Sequence, residues 1–156
     1  MNTKHLCIGF AALTASFGAV AQDAAEDLNG PTVACVGGLT VEPRLMVLAD
    51  KVDVAPIPFA HMTYSPKRTA TSDERKVIAE WVERRDACFS VGAEYRIKTL
   101  LPEERDYANS LFAVQRSLAV KLIQGKLTYA QFNQQRFDLF KAAQYEAGTR
   151  AAESGW

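Results

Sequence analysis

The chain reads as an all-α protein: an antiparallel bundle of three main helices, with a short N-terminal helix and an extended arm tied to the bundle by a disulfide. Three observations predict this. From Thr71 onward, apolar residues recur three and four apart in successive stretches, the period of a helix with one buried face. Those stretches open on capping or first-turn signals. No strand-length run of alternating apolar and polar residues stands out anywhere.

The elements follow in order. Residues 1–21 have the form of a signal peptide: Lys4 in a short n-region, an alanine-rich apolar stretch from Leu6 to Val20, and an Ala19-Val20-Ala21 site with cleavage expected after Ala21. The stretch is too short and too weakly apolar for a transmembrane span, which needs about 20 apolar residues. Residues 22–72 form a Pro/Gly-rich arm that holds every proline but Pro102. Its short helix is expected at Glu42–Val52, where Leu45, Leu48, Ala49 and Val52 fall on one face. The pair Gly37-Gly38 reads as a turn. The run from Asp53 to Ala70 reads as extended, because Pro56, Pro58 and Pro66 restrict their neighbours.

Residues 73–156 form the bundle, and arm and bundle make one domain. Thr71 and Glu74 make a capping box, followed by a stripe of Val77, Ile78, Trp81, Val82, Arg85, Cys88, Phe89, Gly92 and Tyr95. Pro102 opens the second helix, whose stripe is Tyr107, Leu111, Phe112, Val114, Leu118, Leu122 and Ile123, with Gly125 as its C-terminal cap. Thr128 caps the third, with Tyr129, Phe132, Leu139, Phe140 and Ala143 on its apolar face. The short "GKL" connection before it forces an antiparallel hairpin.

The expected compartment decides how the cysteines are read. Cys7 leaves with the signal peptide, so Cys35 and Cys88 remain. In an oxidising compartment such a pair becomes a structural disulfide. The loop it closes spans 53 positions, which the chain-entropy account values at up to about 4 kcal/mol. A redox-active or metal-bound pair would bring Cys-x-x-Cys or further Cys and His ligands, and neither pattern is present. Loss of Lys4 from the 18 basic residues leaves 17 against 18 acidic ones, a formal charge of −1. That balance offers nucleic acid or an anionic membrane no general attraction.

A catalytic set is not found. His61 is the single histidine of the expected mature chain, and no G-x-S-x-G, P-loop or G-x-G-x-x-G run occurs. His61 and Met62 could touch a soft metal but lack a ligand-rich surround, so no metal or cofactor is expected. The "EWVERRDA" run with Arg75, Arg96 and Lys98 reads as a solvated helix face, with Glu80 and Arg84 as an i,i+4 pair. Glu103 and Glu104 suit a helix N-terminus.

Three runs, T-x-x-E-R at Thr71, W-x-x-x-R-x-x-C at Trp81 and G-x-L-T-Y-x-x-F-N at Gly125, resemble those of small exported helical proteins of bacteria. The resemblance covers roughly the last two-thirds of the expected mature chain. It implies export and a helical fold, and no activity. The functional expectation is therefore a non-enzymatic periplasmic or secreted protein that binds an unidentified protein or envelope component, with Asp53 to Ala70 as its contact surface. The alternatives are a small-ligand binder with Trp81, Tyr95 or Phe140 as pocket walls and Arg85 as an anion anchor, or an inhibitor that plugs a wall-degrading enzyme.

Overall fold

The computed structural model describes residues 30–54 and 67–153. The expected signal peptide and, in the arm, residues 22–29 and 55–66, with His61 and Met62, lie outside the described residues. Those described are helical: α1 (Gly30–Leu39), a 3-10 turn (Met46–Leu48), α2 (Ser72–Val91), α3 (Ala93–Thr99), α4 (Pro102–Ile123) and α5 (Tyr129–Glu153). The three long helices α2, α4 and α5 are the main helices that the sequence predicts. No helix among the described residues is long and apolar enough to cross a membrane.

The short N-terminal helix exists, but at Gly30–Leu39 rather than Glu42–Val52. Pro31 suits its first turn, and Gly37-Gly38, expected as a turn, is helical. Helix propensity disfavours this segment by about 1 kcal/mol per glycine. Docking overrides it: α1 lies along α2, with Val36 and Leu39 buried and Cys35 joined to Cys88. The 42–52 stretch instead folds as consecutive turns. Leu45 N–H donates to the Glu42 carbonyl (2.9 Å), Leu48 to Leu45 (2.9 Å) and Lys51 to Leu48 (2.8 Å). This i→i+3 pattern stacks side chains three apart, so Leu45 and Leu48 still reach the core while Ala49 is exposed.

The caps form as the residues dictate. Thr71 Oγ1 accepts from Glu74 N–H (3.3 Å), and Glu74 Oε2 accepts from Thr71 N–H (2.8 Å). Thr128 and Gln131 repeat this reciprocal arrangement before α5. Gly125 ends the α4 connection with φ 71°, a conformation open to glycine at little cost. The α4–α5 hairpin packs through both helices, and α4 also packs on α2. Trp81, Tyr129, Phe132, Leu45, Leu48, Ile78, Leu122 and Val52 are the largest fully buried side chains, so arm and bundle share one core.

The first main helix stops earlier than its stripe suggests. α2 ends at Val91, and α3 resumes after Gly92. A Cβ at Gly92 would lie 2.0 Å from Thr32 Oγ1 and 2.8 Å from Arg96 Nη1. Gly92 is thus the point where α1 and the Arg96 guanidinium press against the backbone. Gly92→Ala is expected to destabilise the protein by roughly 1–3 kcal/mol through overpacking, read as a lowered urea midpoint. An unchanged midpoint would mean that Thr32 and Arg96 yield easily.

Candidate binding site

The Asp53 to Ala70 run is anchored where it leaves the bundle and where it returns. At its departure, Asn133 on α5 donates from Nδ2 to the Lys51 carbonyl (2.8 Å), and Asp53 N–H reaches Asn133 Oδ1 (3.4 Å). Arg136 Nη1, one helical turn on, donates to the Asp53 carbonyl. Val52, Asp53 and Val54 are buried there. At its return, Arg68 grips Glu74 with two bonds (2.6 and 2.7 Å), and Tyr129 N–H donates to the Arg68 carbonyl (3.1 Å). Ala70 is buried, and its carbonyl accepts from Arg75 Nε (3.0 Å).

Glu74 is central to that second anchor. Arg68 beside it, with the Thr71 N–H, holds its carboxyl well below the usual carboxylate range, against the cost of burial. A depressed folded pKa contributes stability that is complete above the unfolded value, about 4.3, and is lost as pH falls below it. Arg68 is half exposed, which discounts the pair. Glu74→Gln is expected to cost roughly 1–2 kcal/mol at pH 7. Its deficit against the native protein should shrink below about pH 4, as followed by urea denaturation across pH.

The larger surprise lies inside the bundle. Among the described residues three arginines are buried: Arg85, Arg96 and Arg136. They alternate with aromatic rings. Arg96 Cζ stands 3.6 Å from the Phe89 ring centroid, and Phe89 stacks on Phe112 at 3.9 Å. Arg85 Cζ lies 6.0 Å from Phe112 and 5.0 Å from Trp81. Arg136 Cζ lies 5.7 Å from the other neighbour of that series, again Trp81, and 5.8 Å from Phe132. Trp81 meets Phe132 edge-on at 6.1 Å. Within about 6 Å of a ring, a desolvated guanidinium gains of order 2 kcal/mol. The ladder thereby joins α3, α2, α4 and α5.

The three cations are accommodated differently. Arg96 donates to Thr32 Oγ1 (2.8 Å) and to the Phe89 carbonyl (2.7 Å). Arg136 holds the Asp53 carbonyl; burial pulls its pKa down to about 10, and the Asp53 charge opposes that shift. Arg85 donates from Nη2 to the neutral Gln115 Oε1 (2.5 Å), and its buried Nε meets no acceptor. The Nε1–H of Trp81 is also buried without an acceptor. Burial, then the neighbouring Arg136 charge, pull Arg85 down to about 9, so it remains a cation at neutral pH. Asp86 carries the carboxylate next in sequence, and Arg116 takes it through Nε (2.9 Å).

No protein-family model, curated protein or solved structure matches the chain. Of the residues singled out in sequence, Arg85 lies over the Trp81 ring. Tyr95, on α3, lies near Gly30 at the start of α1, and Phe140 is half-buried. Arg96, expected on a solvated face, is buried. Asn133 and Arg136 are buried on α5, whereas Leu139, Phe140 and Ala143 of the expected apolar stripe are only half-buried. Val114 is exposed rather than inward. The signal for Arg136 was present: it stands seven residues after Tyr129 and four after Phe132, on the same helical face.

Proposed function

We propose that the protein is an exported, non-enzymatic binding protein of the bacterial cell envelope. It engages a partner protein or envelope component through the proline-rich segment between Asp53 and Ala70. The observation that carries this reading is the anchoring of that segment at both ends. Asn133 and Arg136 spend two long α5 side chains on the backbone at 51–53, and Glu74, Tyr129 and Arg75 hold the backbone or side chains at 68–70. Fixed ends lower the ordering entropy that a presented segment loses on binding. The Cys35–Cys88 bond supports the exported setting, since such bonds persist in oxidising compartments.

Two measurements test the reading. N-terminal sequencing of the protein recovered from the periplasm or medium should start at Gln22. A chain still carrying its first residues in the cytoplasm would contradict export. Affinity capture from envelope extract should recover a stoichiometric partner with the native chain, and none when residues 56–65 are replaced by a Gly/Ser linker. Equal recovery by both chains would remove the segment from the interface.

A further inference from the structure

We infer that Arg85 forms a binding site for a small oxyanion, a carboxylate or phosphate group. The inference rests on the described bundle and does not depend on the proline-rich segment.

Arg85 is a cation only 7% exposed, and among the described residues it makes no ion pair within 4 Å. Burying a charge is costly unless a counter-charge and hydrogen bonds offset it. The offsets visible here are one bond to a neutral amide oxygen and the faces of Trp81 and Phe112. A second guanidinium, Arg136, faces the same indole and adds repulsion. Arg85 Nε is buried and has no acceptor, and the same holds for Nε1 of Trp81, the ring that Arg85 faces. The site therefore presents a buried positive charge and an N–H donor without a matching acceptor. An oxyanion supplies what is missing: a negative charge and several acceptor lone pairs, in the planar arrangement that a guanidinium recognises. The burial of Arg85 restricts the guest to a small group. Gln115 lies on α4 and the arginine on α2, so the guest would bridge the two helices.

The test is thermal unfolding of the full native chain with increasing sodium phosphate or sodium acetate, at ionic strength held constant with sodium chloride. The expected result is a saturable rise in Tm, about 5 °C at roughly ten times Kd. The response should vanish in Arg85→Gln and persist in Lys98→Gln, which alters an exposed lysine. Gln115→Glu provides a check if Arg85→Gln does not fold. It places a carboxylate at the position already bonded to Arg85, so its ligand-free Tm should rise by several degrees and its anion response should disappear. Saturation by phosphate alone would assign a phosphate site, and saturation by acetate also a general carboxylate-compatible one. A rise that never saturates and is equal in all variants is the ordinary effect of an excluded salt. That result, or no rise at all, would overturn the inference and leave Arg85 a structural cation.

Discussion

Trp81→Ala is expected to remove roughly 3–5 kcal/mol of stability, toward the upper end of what truncating a buried aromatic costs. Trp81 is completely buried at the centre of the core. Its removal leaves a cavity, and it also takes the ring from under two guanidiniums, Arg85 and Arg136. Both cations would then remain desolvated with less to offset them. Trp81→Phe keeps a ring of smaller area and should recover about half of the loss. Urea denaturation followed by far-ultraviolet circular dichroism measures both variants without relying on indole fluorescence. A Trp81→Ala cost below about 1.5 kcal/mol would contradict both the packing and the cation–aromatic roles given to Trp81.

The second large effect belongs to the disulfide. Reduction, or Cys35→Ala with Cys88→Ala, is expected to cost up to about 4 kcal/mol, a large share of the roughly 5–15 kcal/mol of a typical domain. The loss should be local before it is global. α1 contains Gly37 and Gly38, whose hypothetical Cβ atoms meet nothing within 4 Å, so little side-chain packing holds that part of the helix. Other ties of α1 to the bundle are the Thr32–Arg96 bond and the burial of Val36 and Leu39. Amide hydrogen exchange on the reduced protein should therefore show lost protection across Gly30–Leu39 first, with α2, α4 and α5 still protected. Uniform loss across all helices would make the bond a support of the whole bundle.

The helical class, the Cys35–Cys88 pairing, the three long helices and their caps were all readable from local rules. Thr71 with Glu74, Pro102 and Thr128 act within a few residues of themselves, where sequence is most informative. α1 was not readable, because its glycines argue against a helix and only docking, through Cys88 of α2 and Arg96 of α3, makes that segment helical. The Leu45–Leu48 turn shows the converse. Its apolar spacing identified the buried side, but spacing of three serves a 3-10 turn as well as an α-helix.

The candidate site was half visible. Arg85 fell on the apolar stripe of α2 and was accepted there because Trp81 and Cys88 flank it. Arg96 and Arg136 fell on equally regular stripes, yet charged residues are rarely fully buried unless paired, and pattern reading assigns them to solvent. Their burial depends on rings from other helices, Phe89 for Arg96 and Trp81 for Arg136. Long-range partners of that kind leave no local trace. Asn133 was obscured similarly, since its partners at Lys51 and Asp53 stand 82 and 80 positions away by chain.

The tie between Cys35 and Cys88 is where fold and proposed compartment meet, so thiol labelling in living cells tests the account most directly. The full-length chain is expressed in bacteria, intact cells are treated with an alkylating reagent that crosses both membranes, and the peptides carrying each cysteine are weighed before and after reduction. Labelling of Cys35 and Cys88 only after reductant is the predicted result. Labelling of both without reductant would contradict the disulfide-tied, exported bundle.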